Sequence, residues 1–314
     1  MIYKYQSNFA DDLIAMFNYK IALGYSAISY EGGLRRLDMF FLEYFPTCCV
    51  LSQEIVNAWC DHENVNNKAP NHAIIIREFA KFLISIGKDA YVLPDKARKK
   101  YKPELPCIFT AAEISAFFHA TDIYPHRNNS PLLEYTIPTI FRVQFACGLR
   151  PKEVLHLQKT DIDYKNKNIY IRQSKRHKDR VLPVNDDVIQ LCRKYNEISK
   201  IFYPEATCFF PSNHGDVYES GWLERAFRKC WIAAGNTIEN RVPSPYDLRH
   251  NFATRTLMKW VEEGKDLDSY IPYLSAYMGH GSFSSTFYYI HLLPERLSKM
   301  AFMDAGTIIG GANI

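Results

Sequence analysis

One segment constrains the fold of this chain more than any other feature. Residues 88–106 hold six lysines and arginines and three prolines, a composition that favours extended chain over helix or sheet. Apolar residues recur at helical spacing before this segment, and a new helix begins after it. We therefore predict two domains, 1–87 and 107–293, joined by an extended basic linker over 88–106 and followed by a C-terminal tail over 294–314.

The first domain is predicted to be a small helical bundle. Leu13, Phe17 and Ile21 share one face of a first helix, and Gly24 and Pro46 are signals for the ends of the first two helices. Two shorter helices are expected near 52–60 and 70–86.

The second domain is predicted to be mainly helical with a small sheet. A capping box from Thr110 to Glu113 begins its first helix, and Gly148 ends the next one. Between 161 and 184 the apolar period changes to two, which predicts antiparallel strands with a polar hairpin tip. The remaining helices are expected at 186–199, 219–234, 245–262, 268–278 and 283–291.

The composition is that of a globular protein, with 47% apolar and 23% charged residues. A formal net charge of +4 favours polyanionic partners without establishing nucleic-acid binding. The eight cysteines form no CxxC pair and no secretory signal opens the chain, which predicts a reduced, cytoplasmic protein. No apolar run approaches the roughly 18 residues of a membrane span, so no membrane contact is expected.

Three motifs in the second domain place polar side chains directly after predicted turns. They are Gly-Leu-Arg-Pro-Lys-Glu at 148–153, Tyr-Asp-Leu-Arg-His at 246–250, and Gly279-His280 followed nine positions later by Tyr289. These motifs resemble the signature boxes of the tyrosine recombinase, or phage integrase, family. The resemblance extends from about Phe109 to Leu293. It implies a mainly α fold, with a helical, SAM-like core-binding domain before a helical catalytic domain that carries a small antiparallel β-sheet.

The resemblance also implies the residues of the site. The catalytic set is then Arg150, Lys175, Tyr246, Arg249, His280 and Tyr289. Glu153 is interpreted as a group that orients an arginine, and His250 as a core group or a support for the catalytic side chains. Lys178 lies in the same hairpin as Lys175 and is the alternative lysine.

Tyr246 departs from the family pattern, which usually has a histidine there. That histidine is assigned to hydrogen bonding at the scissile phosphate or to proton handling at the nucleophile. A phenol can still donate a hydrogen bond, but it is a poor base near neutral pH. The base role is therefore in doubt at this position, and packing at the start of a helix is the alternative interpretation of Tyr246.

The set of side chains is suited to phosphoryl transfer. Two guanidinium groups and a histidine N–H can stabilise the charge that gathers on the phosphate, and a lysine can protonate the departing 5′ oxygen. A tyrosine nucleophile conserves the phosphodiester in a covalent intermediate, so neither a metal nor a nucleotide cofactor is expected. The offset from His280 selects Tyr289 over Tyr288, and the clustered cations are expected to favour its phenolate.

We therefore predict a DNA strand transferase that recombines two double-stranded sites as a homotetramer. Integration, excision or transposition of a mobile element is the favoured biological setting. Accessory DNA-bending proteins are further candidate partners, and localisation at the nucleoid is expected. Type IB topoisomerase-like relaxation and a catalytically silent DNA-binding protein are the alternatives. The apolar stripe in the tail predicts docking on a neighbouring protomer or packing on its own domain.

Overall fold

In the computed structural model, the described residues are 3–25, 27–63, 72–94, 106–172, 179–236 and 242–280, with Thr286, Tyr288 and Tyr289. The chain divides into two compact units, Met1–Glu104 and Leu105–Ile314. The fold is mainly α-helical with a small antiparallel sheet, as the sequence predicted. Among the helices that the structure describes, none combines the length and the hydropathy needed to span a membrane.

In the described part of the first unit there are four helices. They are α1 (Ala10–Ala22), α2 (Ala27–Tyr44), α3 (Gln53–His62) and α4 (His72–Ser85). Their apolar faces meet in a core that includes Phe9, Leu13, Phe41, Trp59 and Phe79. The two shorter helices predicted for this domain are confirmed as α3 and α4, and each predicted end lies within two residues of the observed one.

The start of the predicted linker packs on the first unit. Lys88 Nζ donates to the Asp12 carboxylate at 2.7 Å, and the buried Arg77 side chain donates through Nε to the Leu93 carbonyl oxygen at 2.8 Å. Residues 88–94 therefore belong to the packing of the helical bundle. The next eleven residues lie outside the described part of the chain.

The second unit contains the remaining helices and the sheet. Its elements are α5 (Ala111–Asp122), α6 (Leu133–Cys147), α7 (Pro151–Leu155), β1 (Ile162–Asp163), β2 (Asn168–Ile171), β3 (Arg180–Pro183), α8 (Asp186–Phe202), α9 (Ser220–Ala233), α10 (Pro245–Glu262) and α11 (Leu267–Met278). The strands pair antiparallel in the order β1-β2-β3, and Ile169 lies opposite Leu182 with both side chains buried. Phe117, Phe141 and Trp231 lie in the main core of this unit.

Helices α6 and α11 end at glycines in the left-handed conformation. Gly148 ends α6 with φ of +59°, and Gly279 ends α11 with φ of +64°. This region is unfavourable for residues that carry a Cβ atom. At Gly148 a Cβ would also lie 2.4 Å from the Phe252 ring of α10. The glycine therefore permits the close packing of α6 on α10, and both helix ends reach the site described next.

Candidate active site

Arg249 lies in the first turns of α10, and its side chain is buried. Its Nη1 donates to the Gly148 carbonyl oxygen at 2.6 Å, and its Nη2 donates to the Met278 carbonyl oxygen at 2.6 Å. These carbonyls lie at the C-terminal ends of α6 and α11, where helical partners are missing and the helix dipole is negative. Burial and the nearby Arg150 lower the pKa of Arg249 to about 10, so the guanidinium stays charged at neutral pH.

Arg150 is held in the same way at the start of α7. Its Nη2 donates to the Gly279 carbonyl oxygen at 2.5 Å. Its backbone N–H and its Nη1 donate to the Glu153 carboxylate at 2.9 and 2.5 Å. Each guanidinium group therefore donates to the carbonyl oxygen of a glycine that ends a helix. Arg249 binds Gly148 at the end of α6, and Arg150 binds Gly279 at the end of α11.

Glu153 joins this pair to a third guanidinium group. Arg180, the first residue of β3, donates from Nη1 and Nη2 to the two Glu153 carboxylate oxygens at 2.8 Å each. Burial alone would raise the pKa of Glu153, but the hydrogen bonds and charges of Arg180 and Arg150 outweigh it and hold the pKa at about 2. Glu153 is therefore an ionised carboxylate that fixes Arg150.

His280 follows directly after Gly279. Its Nδ1 lies 2.7 Å from the Thr286 hydroxyl oxygen. Burial lowers the pKa of His280 to about 3, and the charges of Arg249, Arg150 and Arg180 act in the same direction. The imidazole is therefore neutral at physiological pH, a form in which one ring nitrogen carries a proton and can donate a hydrogen bond.

Tyr289 lies in a small apolar cluster formed by α10 and α11, and 3% of its surface is exposed. Its hydroxyl oxygen lies 2.8 Å from His250 Nδ1. Burial raises the pKa of Tyr289 to about 12, although the charges of Arg249 and Arg150 act in the opposite direction. The cations therefore favour the phenolate, as expected, but burial outweighs them and the hydroxyl keeps its proton.

The aromatic neighbours of Tyr289 differ in exposure. Tyr288 is partly buried in the same apolar cluster, and its ring meets the Tyr289 ring edge to face at 5.9 Å between centroids. Tyr246 has 42% of its surface exposed, and its ring lies 5.4 Å from the His250 imidazole. Tyr246, His250 and Tyr289 thus form a continuous row of side chains.

Residues 108–296, more than half of the chain, match the model of the phage integrase family. The chain belongs to the phage integrase family. Members of this family are enzymes that break and rejoin DNA in site-specific recombination.

Individual members resemble this integrase-family protein over most of its length. The putative integrase/recombinase y4rE of Sinorhizobium fredii is 29% identical over 77% of this chain and 78% of its own. The tyrosine recombinase XerD of Staphylococcus epidermidis is 26% identical over 72% of each chain. A lambda integrase tetramer bound to a Holliday junction shares the fold with a TM-score of 0.57 and 16% identity, over 89% of this chain and 76% of its own.

The structure of this integrase-family protein brings most of the predicted site residues together. The ends of α6 and α11 hold Arg249 and the end of α11 holds Arg150, which also binds Glu153. His280 lies next to them, while Tyr246 and His250 lie beside Tyr289. Lys175 and the alternative Lys178 lie outside the described residues.

Two residues of the site were not predicted. They are Arg180, which binds Glu153, and Thr286, which contacts His280. The position of Arg180 at the start of a strand, after the polar hairpin tip, could have indicated a fixed role. No pattern in the sequence indicates that the Thr286 hydroxyl meets His280.

Proposed function

We propose that this protein is a site-specific DNA recombinase that cleaves and rejoins strands through a 3′-phosphotyrosine on Tyr289. One observation carries the proposal: Arg150 and Arg249 are held by two helix ends, next to a neutral His280 and a buried tyrosine hydroxyl. Fixed cations and a neutral N–H donor are suited to the charge of a pentavalent phosphate, because they need not reorganise as that charge develops.

In the cleavage step, the Tyr289 hydroxyl oxygen attacks the scissile phosphorus and the bond to the 5′ oxygen breaks. Arg150 and Arg249 bind the non-bridging oxygens, and His280 donates a hydrogen bond to one of them. Lys175 is the proposed general acid that gives a proton to the departing 5′ oxygen. A 5′ hydroxyl from the partner duplex then attacks the phosphotyrosine and reseals the strand without an external energy source.

The proposed assembly is a homotetramer on two duplex sites, with strand exchange in two successive rounds. The lambda integrase tetramer on a Holliday junction supports this arrangement because it has the same fold. The integrase/recombinase name of the Sinorhizobium fredii relative supports integration or excision of a mobile element as the biological setting. Accessory DNA-bending proteins are proposed as further partners.

A covalent trapping experiment tests the proposal and the identity of the nucleophile. The probe is a pool of nicked duplexes with a randomised binding region, in which the nick releases the 5′ product and traps the adduct. We expect an SDS-resistant adduct with the natural protein and with Tyr288→Phe, and none with Tyr289→Phe, which should still bind DNA. Peptide mapping that places the nucleotide on Tyr288 would reverse the assignment.

The same experiment separates the alternative functions. A catalytically silent DNA-binding protein retains the duplexes and forms no adduct. A topoisomerase-like enzyme forms the adduct and relaxes supercoiled DNA, but it does not join strands from two selected sites. Recombinant junctions between two such sites are the product that the proposed function requires.

A further inference from the structure

The proton of Tyr289 must leave as its oxygen attacks phosphorus, and the structure limits where it can go. Burial raises the pKa of Tyr289 to about 12, so the free hydroxyl keeps its proton at neutral pH. Among the described residues, the side chain in hydrogen-bond contact with this hydroxyl is His250, with 2.8 Å between Nδ1 and the phenolic oxygen. An imidazole nitrogen that faces a hydroxyl at this distance can accept its proton.

His280 and Tyr246 also lie near Tyr289, but they are less suited to accept its proton. His280 uses Nδ1 in its contact with Thr286, and three guanidinium groups next to it oppose a positive charge on its ring. Tyr246 carries a phenol, which is a poor base near neutral pH. The ring of Tyr246 lies against His250, with the centroids 5.4 Å apart.

We propose that His250 is the proton acceptor for Tyr289, in place of the histidine that the family usually has at the position of Tyr246. The two positions are four residues apart on α10, so they share one face of the helix. An imidazole one turn further along α10 therefore reaches the nucleophile that a phenol at position 246 cannot deprotonate. This inference rests on the proposed phosphotyrosine mechanism.

The proton balance of the step is complete. His250 begins neutral with its proton on Nε2, and its Nδ1 takes the Tyr289 proton as the oxygen–phosphorus bond forms. The bond to the 5′ oxygen breaks, and that oxygen receives a proton from the general acid. During resealing, the attacking 5′ hydroxyl gives its proton to the general acid, which regains the proton that it lost. His250 returns its proton to the departing Tyr289 oxygen.

The test compares variants that separate proton transfer from packing. His250→Ala removes the imidazole, and His250→Asn keeps a polar side chain that cannot act as a base. His126→Ala, at an exposed histidine of the same unit, is the control. The rate of adduct formation is measured on nicked duplexes selected from the randomised pool, in a single turnover, with and without added imidazole.

We expect both His250 variants to form the adduct roughly 10²- to 10⁴-fold more slowly, which is the usual contribution of a general base. Added imidazole should restore a large part of the rate to His250→Ala, because it can enter the space that the ring leaves. DNA retention and the circular dichroism spectrum should be unchanged. If His250→Ala does not fold, the rate of His250→Asn decides the question.

The outcomes distinguish this inference from the proposed function. If the natural protein forms no adduct, the phosphotyrosine mechanism itself is wrong, and if Tyr289→Phe still forms one, the nucleophile is not Tyr289. If the natural protein forms the adduct on Tyr289 and His250→Asn reacts at the same rate, the mechanism stands and His250 is not the proton acceptor. If His250→Ala reacts slowly and added imidazole does not restore its rate, while His250→Asn reacts at the natural rate, then His250 has a packing role only.

Discussion

Tyr246 occupies a position where the family pattern usually has a histidine, and its side chain is exposed. Its ring rests on His250 and 42% of its surface is exposed. We expect Tyr246→His to keep or raise the rate of adduct formation, because it restores the usual family residue beside His250. Tyr246→Ala should lower the rate, because it removes a hydrogen-bond donor and the ring that packs on His250. An alanine variant that cleaves at the natural rate would assign Tyr246 to helix packing alone.

The lowered pKa of His280 predicts how the stability of the protein depends on pH. Its pKa is about 3 in the folded protein and 6.5 for a free imidazole. Below about pH 6.5 the unfolded chain therefore takes up a proton that the folded chain does not, and the free energy of unfolding falls with falling pH. Denaturant unfolding between about pH 7 and pH 5 should give a shallower pH slope for His280→Asn than for the natural protein. Equal slopes would show that His280 is not held neutral.

At the scale of elements, the contact between α6 and α10 depends on Gly148. An alanine there adopts an unfavourable positive φ and also meets the Phe252 ring at 2.4 Å. Gly235, which follows α9, has a similar φ of +71° but open space around a Cβ, so Gly235→Ala is a matched control. We expect Gly148→Ala to lower the free energy of unfolding by roughly 1–3 kcal/mol more than Gly235→Ala, the usual cost of overpacking.

A second substitution checks the origin of that difference. In a protein that already carries Phe252→Leu, Gly148→Ala should lower the free energy of unfolding by less than it does in the natural protein, because the smaller side chain leaves room for the methyl group. Denaturant titration of the four proteins measures the coupling. If the two substitutions lower the free energy of unfolding additively, the strain of an alanine at position 148 lies in its backbone and not in the contact with Phe252.

The elements could be predicted from the sequence because their signals are local. The capping box at Thr110 and the proline at the start of α7 act within one helical turn, and both are present in the structure. The contacts that complete the site are not local. His250 meets Tyr289 across 39 residues and Arg180 meets Glu153 across 27. The family motifs located the site, but the ring nitrogen that faces the nucleophile depends on how α10 packs.

The balance of burial and charge at Tyr289 also could not be read from the sequence. The motifs predict cations near the phenol, and Arg249 and Arg150 do lower its pKa. The larger effect is burial among α10 and α11, which follows from packing. A positive cluster alone therefore does not give the protonation state of a buried nucleophile.

At the scale of the whole molecule, the two compact units are joined through a segment rich in lysine. We propose that both units bind DNA, because two binding units on one chain raise each other's effective concentration at the duplex and a basic segment between them adds phosphate contacts. The segment around Lys96, Lys99 and Lys100 lies outside the described residues, so its role is a prediction from charge alone. The affinity for duplex DNA should fall steeply as salt rises, because each phosphate contact releases counterions.

Neutralising those three lysines to glutamine tests where the salt dependence originates. The slope of log affinity against log salt should become shallower by about 0.9 for each lysine that contacts a phosphate. A charge-matched control replaces Lys165, Lys194 and Lys200, which are exposed in the second unit, and lowers the formal net charge by the same amount. We expect the control to keep the natural slope, because counterion release follows local contacts and not net charge. Equal slopes for the two variants would show that the linker does not contact the DNA backbone.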